Sequence, residues 1–184
     1  MRAPWIWIAG LAVALLMPVS ARAVSSLDPV PGPAPVSIGM GATVDIDIQL
    51  STTDLVGAFN AEFFESAGLT INGCSNPGGA PGWACSAISG GYQANAADFA
   101  AGLPDGLTVV RLNVTGNAMG GELTLGVFPT TNFTDCPGFP CIGGSSASFA
   151  NQGDVLAVVV PEPATMALVS VGLLGLALSG RRRA

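Results

Sequence analysis

Residues 44–50 read Val-Asp-Ile-Asp-Ile-Gln-Leu, and the alternation of apolar and polar side chains is strict. Successive side chains of a strand point to opposite faces, so this pattern describes a strand with one dry face and one wet one. Several later segments repeat it. In Val56 to Glu65, Phe59, Ala61 and Phe63 share one face, and Asn60 and Glu62 the other. In Leu107 to Thr115, Val110, Leu112 and Val114 align, and in Glu122 to Phe128 the inward set is Leu123, Leu125 and Val127. Shorter candidates are Gly68 to Ile71, Trp83 to Ile88, Ala147 to Ala150 and Val155 to Val160. Ala94 to Ala101 is alanine-rich and reads as a short helix or a segment across a sheet edge. Turns fall at Ser51 to Asp54, Pro104-Asp105-Gly106 and Gly116-Asn117. Roughly six to nine short strands with little helix predict an all-β fold, a jelly-roll-like antiparallel β-sandwich.

The two ends of the chain have a different character. Arg2 precedes an uncharged, mostly apolar run from Trp5 to Val19, and Ala21-Arg22-Ala23 follows. This order predicts a signal peptide over 1–23, cleaved after Ala23, and export by the Sec machinery. At the other end, Pro161-Glu162-Pro163 precedes an uncharged stretch from Ala164 to Gly180 and then Arg181-Arg182-Arg183. As a helix, 164–180 would rise about 25 Å, near the short end of what crosses a bilayer core. The arginines set a cytoplasmic C-terminus, which leaves Pro-Glu-Pro on the outer side. Proline does not fit a helix interior, so this tripeptide is expected to be extended and readable by another protein.

With both ends set aside, residues 24–160 hold eleven of the twelve acids and only Arg111 among the six basic residues. Their formal charge is −10, against −6 for the whole chain. One cation cannot neutralise a row of phosphates, which excludes nucleic acid as a partner. Anionic membrane surfaces are disfavoured on the same ground. Acidity of this degree suits solubility outside the cell, and it would admit weak Ca²⁺ association through carboxylates. No other cofactor and no defined metal site is expected.

Residues 24–40, with Pro29, Pro31, Pro33 and Pro35, read as an irregular lead-in, and 41–160 as one acidic domain. Cys74, Cys85, Cys136 and Cys141 form an even set in an oxidising compartment. Three connectivities are open, of which Cys74–Cys85 and Cys136–Cys141 are favoured because each pair encloses a loop rich in Gly and Pro. Paired C-x₂-C spacing, the mark of common zinc sites, is absent. Phe133 to Gly144 is expected to be the second disulfide loop.

The chain contains no histidine and no lysine. This removes His-based triads, His-metal sites, Ser-Lys dyads and Schiff bases. Only carboxylates remain as acid and base, and Asp45 and Asp47 share a strand face. The alternation around them argues for a solvated outer face rather than a glycosidase pair. Ser75 to Gly82 and Gly143-Gly144 lack a following Lys and are turns rather than phosphate loops. Asn113-Val114-Thr115 and Asn132-Phe133-Thr134 match a glycosylation acceptor pattern, which carries little weight here. Trp83 and Tyr92 are the candidates for a sugar-stacking surface, with core burial of Trp83 as the competing reading.

Two resemblances follow. Pro161-Glu162-Pro163, the apolar stretch and the arginine cluster, in that order, resemble the PEP-CTERM sorting signal of Gram-negative bacteria over about 160–184. That resemblance implies recognition by the membrane protease-transpeptidase exosortase. It implies an inner-membrane-anchored precursor, then a place at the cell surface or in the extracellular matrix, in bacteria that commonly make exopolysaccharide and biofilm. The strand at 42–50, the strand ending in Phe64-Glu65, and the segments Leu107 to Val114 and Glu122 to Phe128 resemble a cohesin-like domain over about 36–160. Phe64-Glu65 stands where that family more often has Tyr-Asp-Pro, and the two disulfide loops are additional. The resemblance implies a jelly-roll sandwich that binds a surface protein or a polysaccharide. The expectation is a non-enzymatic surface or matrix protein. The second expectation is a cohesin-like binding module, with Ca²⁺ assistance.

Overall fold

The computed structural model describes residues 25–30, 34–53, 55–162 and 167–173. Within them lie β1 (Ser25–Val30), β2 (Val36–Gly39), β3 (Thr43–Thr52), β4 (Val56–Glu65), β5 (Leu69–Ser75) and β6 (Ala84–Ile88). β7 (Gly91–Ala97), β8 (Thr108–Gly116), β9 (Glu122–Leu125), β10 (Asn132–Asp135), β11 (Ser145–Ala147) and β12 (Val155–Val160) follow. They form two sheets. The smaller has the order β1-β3-β8-β5, and the larger has β11-β10-β4-β9-β12-β2, with β7 also paired to β4 and β6 paired to β7.

The alternation read from the sequence is the pleat of these sheets. Ile46, Ile48 and Leu50 of β3 are buried, as are Leu112 and Val114 of β8. Phe59, Ala61 and Phe63 of β4 and Leu123 and Leu125 of β9 are buried from the larger sheet. All join one hydrophobic cluster between the two sheets. Phe133 of β10 adds a ring contact to Phe149, with centroids 5.1 Å apart. The sandwich is therefore held by apolar inner faces, whose burial contributes about 25 cal/mol per Å².

Several expectations are corrected. The stretch 24–40 is not an irregular lead-in, because it contributes β1 and β2. Both are edge strands, and an edge strand tolerates Pro29 because one side of it has no ladder to break. Ser25, Leu27 and Pro29 turn inward, and the Ser25 hydroxyl lies 2.7 Å from that of Thr52. The sandwich is not wholly antiparallel, since β2 and β12 pair in parallel through Val36↔Ala157 to Gly39↔Val160. The alanine-rich run at 94–101 is not helical, because β7 runs to Ala97 between β4 and β6. There the small side chains of Ala94 and Ala96 fit a tightly packed inner face, and pairing overrides helix propensity. The expected loop at 133–144 begins as strand β10. Val127 is 59% exposed rather than inward, because β9 ends at Leu125 and the chain leaves the sheet for the turn at 128–130. The strand number, twelve among the described residues, exceeds the six to nine expected because the short edge strands carry little pattern.

Residues 167–173 are helical, and Leu168, Val169, Val171 and Leu173 are all exposed on them. Among the described residues no helix is long and apolar enough to cross a membrane. The expected helix over 164–180 extends beyond them at both ends, and the expected signal peptide with Ala23 lies wholly outside them.

Candidate functional site

The outer face of the smaller sheet is built by the polar half of each alternation. β3 presents Asp45 and Asp47, and β8 presents Arg111 and Asn113 beside them, in the register Asp45↔Asn113 and Asp47↔Arg111. Arg111 donates from Nε and Nη2 to the two carboxylate oxygens of Asp47, at 2.6 and 2.8 Å. This two-pronged bond holds the Asp47 carboxyl below its ordinary range, and the same bond raises the Arg111 guanidinium. Asn113 Nδ2 donates to Asp45 at 2.6 Å. Asn72 of β5 donates to Asn113 Oδ1 and to Thr115, each at 2.9 Å. The two aspartates thus have separate partners, an amide for Asp45 and a guanidinium for Asp47. Among the described residues no three His, Cys, Asp or Glu side chains gather as they would around a metal ion.

β5 carries a register shift between Ile71 and Gly73 where it pairs with β8. The shift opens a groove of about 330 Å³ lined by Asp45, Asn72, Gly73, Ser75, Arg111 and Asn113, with Cys74 at its side. Sequence reading missed this groove. Its signals were the outward positions of two strands and a glycine inside a third, and only pairing brings them together.

The two disulfides join Cys74 to Cys85 and Cys136 to Cys141, with Cα atoms 6.5 and 5.3 Å apart. The first links β5, an edge of the smaller sheet, to β6, an edge of the larger, and so staples one open side of the sandwich. The second closes the loop after β10. Trp83 lies half-buried against the core and donates its indole N–H to the Val109 carbonyl at 2.9 Å. Tyr92 also packs against the core, and its hydroxyl donates to the Asn72 carbonyl at 3.4 Å. Tyr92 pairs with Ala87, whereas Trp83 precedes Ala84, the partner of Asn95, so the two rings stand at opposite ends of the β6–β7 hairpin. They do not meet as one stacking platform.

The sorting tripeptide follows β12 without a spacer. Val160 is paired to Gly39, and its carbonyl accepts from the Met40 N–H at 3.1 Å. Pro161 is half-buried, Glu162 is exposed, and Pro163 lies outside the described residues.

Residues 159–183 match the PEP-CTERM protein-sorting motif. That motif implies exosortase processing and an exported, exosortase-sorted surface protein. No curated protein matches the chain. Solved structures match its body instead. A non-cellulosomal cohesin from Archaeoglobus fulgidus is 11% identical, with a TM-score of 0.55 over 78% of this chain and 96% of that one. The sixth cohesin of scaffoldin B from Acetivibrio cellulolyticus, solved with a Cel5 dockerin mutant, is 15% identical, with a TM-score of 0.53 over 76% and 99%. A cohesin module of a family 33 glycoside hydrolase from Clostridium perfringens is 12% identical, with a TM-score of 0.54 over 76% and 98%. At these identities the likeness is one of fold: the body is a cohesin-like, two-sheet β-sandwich.

Proposed function

We propose that this PEP-CTERM protein is a non-enzymatic component of the cell surface or extracellular matrix, and that its acidic sandwich is the part displayed. The observation that carries the reading is the direct fusion of the sorting motif to a disulfide-stapled sandwich: Val160 is the last paired residue of β12 and Pro161 begins the motif. The absence of histidine and lysine from the sequence supports a binding or structural role over catalysis. Such a protein would work among exopolysaccharide strands in a biofilm, at high copy number and without turnover. Fractionation of cells with and without exosortase tests this. The reading requires surface or matrix protein in the first strain and a retained membrane precursor in the second; the same distribution in both strains overturns it.

A second reading, a module that docks another protein, is favoured by the outward face of the larger sheet. Asn60, Gln93 and Asn132 stand there beside Glu62, and Gln93 donates to Asn60 at 2.9 Å. One cohesin of similar fold is described in complex with a dockerin. Cross-linking on intact cells tests it: a discrete partner lost on Gln93→Arg supports docking, and a partner-free protein removes it.

A further inference from the structure

Gly73 stands at the β5 register shift, where glycine is common, but its own backbone and surroundings do not demand one. Its φ lies outside the left-handed region, and a Cβ added there would meet nothing within 4 Å. Glycine inside a strand marks a bulge or a close approach by a ligand or another backbone, and here the bulge leaves open space above it. Among the described residues nothing fills that space, which is the floor of the groove on the outer face of the smaller sheet.

The walls set the chemistry. Arg111 commits two N–H groups to Asp47 and keeps its others, since a guanidinium has five. Asn72, whose two amide N–H groups are already donated, offers its Oδ1, Asn113 keeps one amide N–H, Ser75 has a hydroxyl, and Asp45 a carboxylate of which one oxygen already accepts from Asn113. Donors and acceptors therefore alternate around a small open space. The local charge of Asp45, Asp47 and Arg111 is −1, within a segment of formal charge −10 over residues 24–160. That field repels anions. The polar side chains exclude an apolar ligand. The Arg111 guanidinium in the wall disfavours a cation, so an uncharged ligand that carries hydroxyls, each able to donate and accept, fits the groove.

We infer that this groove binds a neutral pyranose unit of a polysaccharide, the ring seated over Gly73 and its hydroxyls shared among Arg111, Asn72, Asn113, Asp45 and Ser75. The inference deepens the matrix reading proposed above by assigning it a ligand surface. No aromatic ring stacks on the sugar, so single-site affinity is on the order of millimolar, and many copies on one surface supply avidity.

Affinity electrophoresis of the full chain tests this, in a detergent whose headgroup is not a sugar. The gels contain a neutral glucan, galactan or mannan, or the acidic polymer alginate. Retardation by at least one neutral polymer is expected, with at least a tenfold loss in Gly73→Thr, which fills the floor and keeps strand propensity. Asn72→Ala, at an exposed position, is expected to lose several-fold without reference to the backbone at residue 73. Thermal melts of both variants report folding. Retardation by alginate alone, no retardation by any neutral polymer, or full retention of binding in both folded variants overturns the inference. Because the assay uses purified protein, its failure leaves the sorting and surface reading standing, and mis-sorting in cells leaves this binding result unaffected.

Discussion

The Cys74–Cys85 disulfide is the staple whose removal should be felt most. It closes a loop of sequence separation 11, whereas Cys136–Cys141 closes one of 5. In the chain-entropy model, removing the first relaxes the unfolded ensemble by about 2.8 kcal/mol and removing the second by about 2 kcal/mol. Position adds to this difference. The first bond ties an edge of the smaller sheet to an edge of the larger, so its loss frees β6, which is held otherwise through β7. The second lies within one loop beyond β10. The perturbation is the double replacement Cys74→Ser with Cys85→Ser, compared with Cys136→Ser with Cys141→Ser. Guanidinium titration of each reads the stability change, and a thermal melt should show the first variant lower by roughly 10 °C. Hydrogen exchange should locate the new opening in β6 and the loop before it. Equal losses in the two variants, or a larger loss in the second, would refute both the loop-length argument and the stapling role.

Other expectations follow from single contacts. A Cβ at Gly91 would lie 1.9 Å from the Phe63 carbonyl oxygen, a backbone atom that cannot yield, so Gly91→Ala should cost about 3 kcal/mol by denaturant titration and loosen β7 from β4. Trp83→Ala should lower stability by about 3 kcal/mol through lost packing and the lost bond to Val109, and leave neutral-polysaccharide retardation of the folded fraction unchanged. Asp47 is held below its ordinary value of 3.8 by the hydrogen bond from Arg111. A depressed carboxyl contributes stability above its unfolded pKa and loses it as pH falls through the folded value. The stability gap between the natural chain and Arg111→Gln should therefore be flat from pH 6 to 8 and close as pH falls below about 4, measured by melts across pH.

How much was legible depended on where each residue sits. β3, β4 and β8 were readable because each has one buried and one wet face, and alternation reports that directly. β1 and β2 were hidden by their prolines, since the same residue that breaks a central strand is harmless at an edge. β7 was hidden by alanine, whose local preference is helical but whose small size suits the crowded inner face beside Phe59 and Phe63. The sorting motif was legible in full because it is contiguous. The groove was not, because Gly73 and Arg111 lie on different strands and only the β5–β8 register shift places them together. The stacking role expected of Trp83 and Tyr92 rested on residue type alone, and strand register separates them.

Export and sorting at the C-terminus would leave a displayed, cohesin-like sandwich. Intact-mass measurement of the protein recovered from outside the cell tests this most directly. The expected species begins at Val24, keeps both disulfides and ends at or near Pro161-Glu162-Pro163, without the arginine cluster. An intact chain that retains residues 1–23 and 164–184, found only inside the cell, would contradict it.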